Sequence, residues 1–408
     1  MLTTSQKYFI TLLKDYIHGL DSEETEINTS WDDLFSIAMS HSLEGIIYYQ
    51  SSGILPEGIK RNYLKPYLAH IAHLSLRKEI LQELINRLSY ESIPIICFKG
   101  TVLCDYYPLS PLRSMGDMDI VVKVQDRETV DKILRNDMSF ERFIYNHAVW
   151  TYWKGNIYIE VHTHMFYEHL ANQIDYRTYF DDVWNHIHNA AVLGIESDYL
   201  YVPDESFHFL YLITHHAKHI INNGSGFRAY LDLVFMCNAC EKKLDWIWIQ
   251  DELNRLKLYQ FTLTCFRLCE LWFHVKMPLK TQKLNQSFFE RITEKTFQDG
   301  VFGLGNKMNA SAHVAKEIKR EKVKGHSYVY GSIKYIMIKI FPPYEDMQLI
   351  PWYSFVDGRP WLMPIAWVYR WIYCLIKKRS HSIALFKEPI AQKDIVDKRE
   401  DLIKLWGL

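Results

Sequence analysis

The run Gly116-Asp117-Met118-Asp119-Ile120-Val121-Val122 carries two carboxylates, two residues apart, directly into an apolar β-type stretch. Alternate side chains of a strand share a face, so Asp117 and Asp119 are expected to project side by side at the strand's start. Two carboxylates held that close repel each other. A shared proton or a bound divalent cation relieves the repulsion, and hard oxygen ligands of this kind select Mg²⁺ or Mn²⁺ over zinc.

A third carboxylate fits the same site. The stretches 143–154 and 156–162 are rich in Tyr, Trp, Ile and Val and flank Lys154-Gly155-Asn156, which reads as a β-hairpin. In the second stretch Tyr158, Glu160 and His162 share one face, and Ile157, Ile159 and Val161 the other. A buried carboxylate costs several kcal/mol unless paired or metal-bound. Beside the Asp pair, Glu160 completes three carboxylates able to hold two metals about 3.5–4 Å apart for in-line phosphoryl chemistry. An Asp-x-Asp by itself more often caps a helix or makes an Asx-turn. The weight therefore rests on its combination with Glu160 and with Lys99-Gly100 upstream.

The order Lys99-Gly100, helix, Arg113-x-x-Gly116-Asp117-x-Asp119, then Ile159-Glu160-Val161-His162 resembles the nucleotidyltransferase superfamily that includes DNA polymerase β. More narrowly it is similar to a bacterial branch of uncharacterised nucleotidyltransferases. The resemblance implies a small mixed sheet with the Asp-x-Asp on one strand and the third acid on another. It also implies a Gly-Ser turn before a helix that holds the nucleotide phosphates. Lys99-Gly100-Thr101 stands in that position here, with either the Thr101 hydroxyl or the Lys99 ammonium replacing the Ser hydroxyl. Further likeness runs through Phe207-His208-Phe209-Leu210, His215-His216-Ala217-Lys218-His219 and Phe227 to Leu233. It extends to the late segment from Phe341-Pro342-Pro343 to Trp361-Leu362-Met363-Pro364, with Arg370 beyond.

Composition sets outer limits. At 408 residues, 48% hydrophobic and 23% charged, the chain is long enough for two or three cores. A net charge of −1 gives no basic field to hold a polyanion, which argues against long DNA or RNA as substrate. Lys7 and Lys14-Asp15 interrupt the apolar N-terminus, so no signal peptide is expected, and no apolar run reaches the ~18 residues of a membrane span. The nearest, 360–376, contains Arg370 and two prolines, and its Trp and Tyr residues are expected to bury against the helical region rather than lie at a membrane interface. Seven irregularly spaced cysteines point to a reducing, cytoplasmic setting.

Periodicity predicts an α+β protein, with a small mixed nucleotidyltransferase sheet embedded between N- and C-terminal helical regions. The expected division is 1–90 helical, 91–195 the catalytic core and 196–408 helical. Helices are expected over 5–20, 31–50, 60–90, 101–107 and 126–136, the last capped by Asp126. Strands are expected over 93–98 and 119–124. After about 166 the chain reads as helix, with joints at 222–226, 304–306 and 341–343.

Several candidates carry two readings. Arg113 either contacts a triphosphate or neutralises the acids as a salt-bridge partner. His162 and His164 favour hydrogen bonding near the site over zinc, with no third ligand at suitable spacing. His215, Lys218 and His219 either line the substrate cleft or pack, and Arg228 and Asp232, four apart, are expected to form a helix ion pair. Cys237-x-x-Cys240 and Cys265-x-x-x-Cys269 read as small buried hydrophobes.

Together these imply transfer of a nucleoside monophosphate from an NTP, foremost ATP, to an acceptor hydroxyl of a small molecule or protein, releasing pyrophosphate. Asp117, Asp119 and Glu160 are the expected catalytic and Mg²⁺- or Mn²⁺-binding acids. Lys99, Gly100, Thr101, Arg113, Ser114 and Gly116 are the expected nucleotide contacts, and His162, His215, Lys218, His219 and Arg228 the cleft lining. The alternative is a catalytically silent nucleotide-binding regulator or antitoxin-like module of the same fold. A two-metal phosphatase is disfavoured because such a site calls for more histidines around the acids.

Overall fold

The computed structural model describes residues 2–22, 30–144, 148–170, 172, 174–222, 224–301, 318, 320–321, 324–348, 350–356, 358–377 and 403–408. Helices α1 (Thr4–His18), α2 (Trp31–Ser40), α3 (Glu44–Ser51) and α4 (Glu57–Tyr90) precede the sheet. Strand β1 (Ile95–Phe98) then leads through the one-turn helix α5 (Gly100–Leu103) to β2 (Met118–Val121). Next come α6 (Arg127–Lys132), β3 (Glu141–Ile144), β4 (Val149–Lys154), β5 (Ile157–His162), α7 (Tyr176–Asp181), β6 (Ile187–Asn189) and β7 (Leu200–Pro203). Helices α8 (Glu205–Asn222), α9 (Phe227–Ala239), α10 (Trp246–Arg255), α11 (Tyr259–Phe273) and α12 (Gln286–Asp299) follow, and the helices Tyr328–Ile340 and Met363–Lys377 lie near the C-terminus.

The strands form one mixed sheet in the order β3-β4-β5-β2-β1-β7-β6. β2 runs parallel to β5 and β1 parallel to β7, and the other neighbours are antiparallel. The fold is thus the expected α+β one, a mixed sheet flanked by helices. Alternation sorts each strand's side chains between two cores. Cys97, Met118, Ile120, Ile159 and Val161 pack with Leu81, Leu84, Ile85 and Leu88 of α4 on one face. Ile96, Phe98 and Val121 join α1–α3 and α8–α12 on the other. Asp119 alternates with Ile120, and Glu160 with Ile159 and Val161, so both acids belong to the α8/α9 face.

The hairpin forms as expected: β4 and β5 close over Gly155-Asn156, and Gly155 takes the φ of +60° that glycine tolerates best. Residues 143–154 are not one strand, because β3 ends at Ile144 and β4 starts at Val149. Two strands, β6 and β7, lie in a region expected to be helical. Their three and four residues are too short to show a period, and β7 owes its place to pairing Leu200 with Ile95. Asp126 precedes α6 without making a side-chain cap. The joint at 304–306 lies outside the described residues.

The segment 360–376 corrects another expectation. Its helix makes a small core with Met347, Tyr353 and Val356 through Met363 and Ala366, but Trp361, Ile365, Val368, Tyr369, Ile372 and Tyr373 are exposed rather than buried against the helical region. All seven cysteines are free thiols, and Cys237, Cys240, Cys265 and Cys269 are buried as hydrophobes.

Candidate active site

Register places the acids. In the parallel β2–β5 ladder Asp119 lies opposite Glu160 and Val121 opposite His162, while antiparallel β1 sets Phe98 opposite Asp119. His162 Nε2 is 3.0 Å from Asp119 Oδ1 and 3.3 Å from Glu160 Oε2. Asp119, Glu160 and His162 each offer a ligand atom within 4.8 Å of the others, a cluster compact enough for one metal ion. Asp117, one residue before β2, stands outside that cluster, so the close set differs from the expected three carboxylates by exchanging Asp117 for His162. Imidazole is a poor Mg²⁺ ligand, so Mg²⁺ would rest on the oxygens of Asp119 and Glu160 with Asp117 adjoining, whereas the Asp119–Glu160–His162 set suits a softer divalent ion such as Mn²⁺ or Zn²⁺.

Lys99 reaches the same carboxylate. The residue after β1 has φ 53° and ψ −131°, a strained conformation for a side-chain-bearing residue. Its N–H donates to His208 Nε2 at 3.1 Å, and its ammonium lies 2.7 Å from Asp119 Oδ1. Burial lowers the His208 pKa to about 4, keeping that ring neutral and Nε2 free to accept. Burial alone would lower the Lys99 ammonium too, but Asp119, Tyr211, Glu160 and Asp117 raise it well above its usual value.

The two aspartates are driven apart. Burial, then Asp119 and Glu160, push the Asp117 carboxyl up to about 6. Burial acts the same way on Asp119, but Lys99 and His162 overcome it and hold that carboxyl below the usual range. Such divergence of neighbouring carboxylates is a mark of functional sites.

These groups open onto a cavity of about 340 Å³ whose far wall comes from α8 and α9. Lys99, Gly116, Asp117, Asp119, Glu160 and His162 line one side, and His215, Lys218, His219 and Arg228 the other. His215 and His219 touch through their Nε2 atoms at 3.3 Å, and burial lowers both pKa values, His219 to about 3. Lys218 pairs with Glu168 at 3.4 Å. Nη1 of Arg228 donates to the carbonyl and hydroxyl oxygens of Ser114 at 3.2 and 3.1 Å.

The remaining predicted residues are placed differently from one another. Arg113 is buried and forms a two-point ion pair with Asp232, Nε to Oδ1 at 3.1 Å and Nη2 to Oδ2 at 2.9 Å, reinforced by the Tyr107 hydroxyl. It therefore neutralises Asp232 rather than the Asp117/Asp119 pair, and the expected Arg228–Asp232 ion pair gives way to it. Gly100 lines the cavity, and a Cβ there would meet Arg113 Nη1 at 2.4 Å, so Arg113 backs the turn. Thr101 is fully buried with its hydroxyl on Met115 Sδ at 3.8 Å, and Ser114 donates to the Ser42 carbonyl. Neither hydroxyl faces the cavity. His164 turns to Asp181 and Arg177 rather than to His162's partners.

Sequence reading missed Tyr211, Glu168 and the His208 contact. Tyr211 sits on α8 one turn before His215, where the helical spacing that flagged His215 and His219 also points. Glu168 and His208 become visible only once α8 lies beneath the sheet.

No curated protein and no solved structure matches the chain. A family model described as "Uncharacterised nucleotidyltransferase" matches residues 28–274, which spans β1, β2, β5, the cavity's far wall and more than half of the chain. The match begins well before residue 93, and the late segment 341–364 lies beyond its end. By its sequence the chain belongs to this family of uncharacterised nucleotidyltransferases.

Proposed function

We propose that the protein is a metal-dependent enzyme moving a nucleoside monophosphate from an NTP, foremost ATP, to the hydroxyl of a small molecule or protein. The observation that carries this is the pairing of Asp119 with Glu160 across β2–β5, facing a cavity whose opposite wall holds Lys218 and Arg228. A site with carboxylates on one side and cations on the other suits a nucleotide polyphosphate, whose anionic tail needs cations at more than one point.

In this reading Asp119 and Glu160, with His162 and the adjoining Asp117, would hold a divalent cation. When bound, that ion would supply charge neutralisation at the α-phosphoryl group. The chain's own residues do the rest. Lys218 and Arg228 bind the β and γ phosphates, the departing pyrophosphate. The open backbone at Gly116, where an added Cβ would meet nothing within 4 Å, leaves room for the phosphates to approach the Asp pair. Glu160 takes the acceptor hydroxyl's proton as the oxygen bonds to the α-phosphorus and the bond to pyrophosphate breaks. Gly100 offers its amide, whereas the Thr101 and Ser114 hydroxyls are occupied and only position the turn.

One observation favours the silent nucleotide-binding alternative: Lys99 already neutralises Asp119, as a built-in cation in place of a metal. Thermal stability with each NTP, with and without Mg²⁺, separates the readings when followed by a pyrophosphate-release assay. Mg²⁺-dependent stabilisation lost in Asp117→Ala/Asp119→Ala, with pyrophosphate formed when acceptors are supplied, is the expected result. Stabilisation without Mg²⁺ and without turnover would establish the binding module instead.

A further inference from the structure

The helix Met363–Lys377 buries Met363 and Ala366 but leaves a broad apolar face exposed. Three of its side chains bond to the segment before it. Arg370 Nη1 donates to the Lys339 carbonyl of the preceding helix at 2.9 Å, Trp371 Nε1 to the Ile340 carbonyl at 2.8 Å and Trp367 Nε1 to the Pro342 carbonyl at 2.9 Å. The first two satisfy carbonyls at the end of the helix Tyr328–Ile340, which has no further turn to occupy them. What faces outward is Pro364, Ile365, Val368, Tyr369, Ile372 and Tyr373, with Trp361 just ahead at 70% exposure. No charged side chain lies among them. The neighbouring helix likewise exposes Val329, Tyr330, Ile333, Met337 and Ile338. Contiguous exposed apolar surface of this kind marks an interaction site.

We propose that this face docks the protein on an anionic lipid surface. Charge selects the occupant. In sequence neither helix contains an Asp or Glu; Lys334 is paired with Glu321 at 2.7 Å, but Lys339 is exposed beside the apolar side chains, so the face suits anionic headgroups. Trp and Tyr set among aliphatic side chains are the side chains of a membrane interface. Fifteen helical residues extend roughly 22 Å, short of the ~30 Å hydrocarbon core, so the helix lies in the interface rather than across it. No described helix is long and apolar enough to cross a membrane. This surface is separate from the acidic cluster, so docking does not depend on whether the site there turns over.

Co-sedimentation of the full chain with vesicles of phosphatidylcholine alone or mixed with phosphatidylglycerol tests it. The protein should pellet with the anionic vesicles, less so at high salt, and Ile365→Asp/Ile372→Asp should weaken binding tenfold or more with an unchanged melting temperature. Ile247→Asp, a still more exposed apolar position on α10, should bind as the native protein does. Failure to pellet with any vesicle overturns the proposal, as does undiminished binding of the double variant. So does light scattering that shows a native dimer made monomeric by the double variant, because a second copy would then own the face.

Discussion

The ammonium of Lys99 lies 2.7 Å from Oδ1 of Asp119, so the most deeply buried acid of the site is neutralised by the chain itself. His162 approaches the same oxygen at 3.0 Å. A divalent cation entering between Asp119 and Glu160 therefore competes with a tethered cation for one carboxylate. Lys99→Met is expected to tighten Mn²⁺ binding by several-fold, read by calorimetry on the nucleotide-free protein, while lowering turnover. Weaker Mn²⁺ binding in that variant would show that Lys99 supports the metal site rather than competing for it.

The raised Asp117 carboxyl gives the site a pH dependence. A carboxyl at about 6 in the folded protein, against the usual 3.8, binds its proton more tightly folded than unfolded. The metal-free protein therefore loses stability from this group as pH rises from about 4 to 6. Asp119 has the opposite sign: its depressed carboxyl contributes stability above its unfolded pKa that is lost as pH falls. A cation beside the acids favours ionised Asp117, so Mn²⁺ affinity should rise roughly tenfold per pH unit below 6 and level off above it. Asp117→Asn should flatten that profile, and an unchanged slope in the variant would assign the titration to another group.

Two glycines near the site should behave oppositely. At Gly100 an added Cβ meets Arg113 Nη1 at 2.4 Å and Met115 Cγ at 3.2 Å, and Arg113 is held in place by Asp232. Gly100→Ala is expected to cost about 1–3 kcal/mol in urea unfolding, the usual penalty of overpacking a buried site. At Gly116 an added Cβ meets nothing within 4 Å, so Gly116→Ala should leave folding almost unchanged and affect only nucleotide binding. Equal destabilisation by both would remove the contact argument.

The contrast between these positions shows what the sequence makes legible. The pairing of Asp119 with Glu160 is readable because strand alternation and a hairpin turn are local patterns that fix which side chains share a face, whereas Asp117, ahead of β2, is not placed by that pattern. The local rule that paired Arg228 with Asp232 at helical spacing failed, because Arg113, 119 residues away in sequence, offers Asp232 two parallel hydrogen bonds within a buried site. Strand β7 was hidden for the same reason, since four residues become a strand only by pairing with β1. The exposed helix Met363–Lys377 shows the converse: its apolar pattern was legible, but a pattern does not say which solvent the apolar face meets.

The Arg113–Asp232 pair ties the turn at Gly100 to α9 and is the site's main structural cross-brace. Both residues are buried, and Tyr107 donates to the same carboxylate at 2.8 Å. Asp232→Asn leaves a buried guanidinium without its counter-charge, a loss on the order of 3–5 kcal/mol. Arg113→Met/Asp232→Leu removes both charges together and should recover much of that stability, because the desolvation cost disappears with the ions. The double variant also distinguishes bracing from catalysis. If Arg113 only positions the Gly100 turn, the refolded double variant should keep nucleotide binding within a few-fold of the native protein in a thermal-shift titration. A complete loss of nucleotide binding in a stably folded double variant would mean that Arg113 contacts the phosphates directly and leaves Asp232 when the nucleotide arrives.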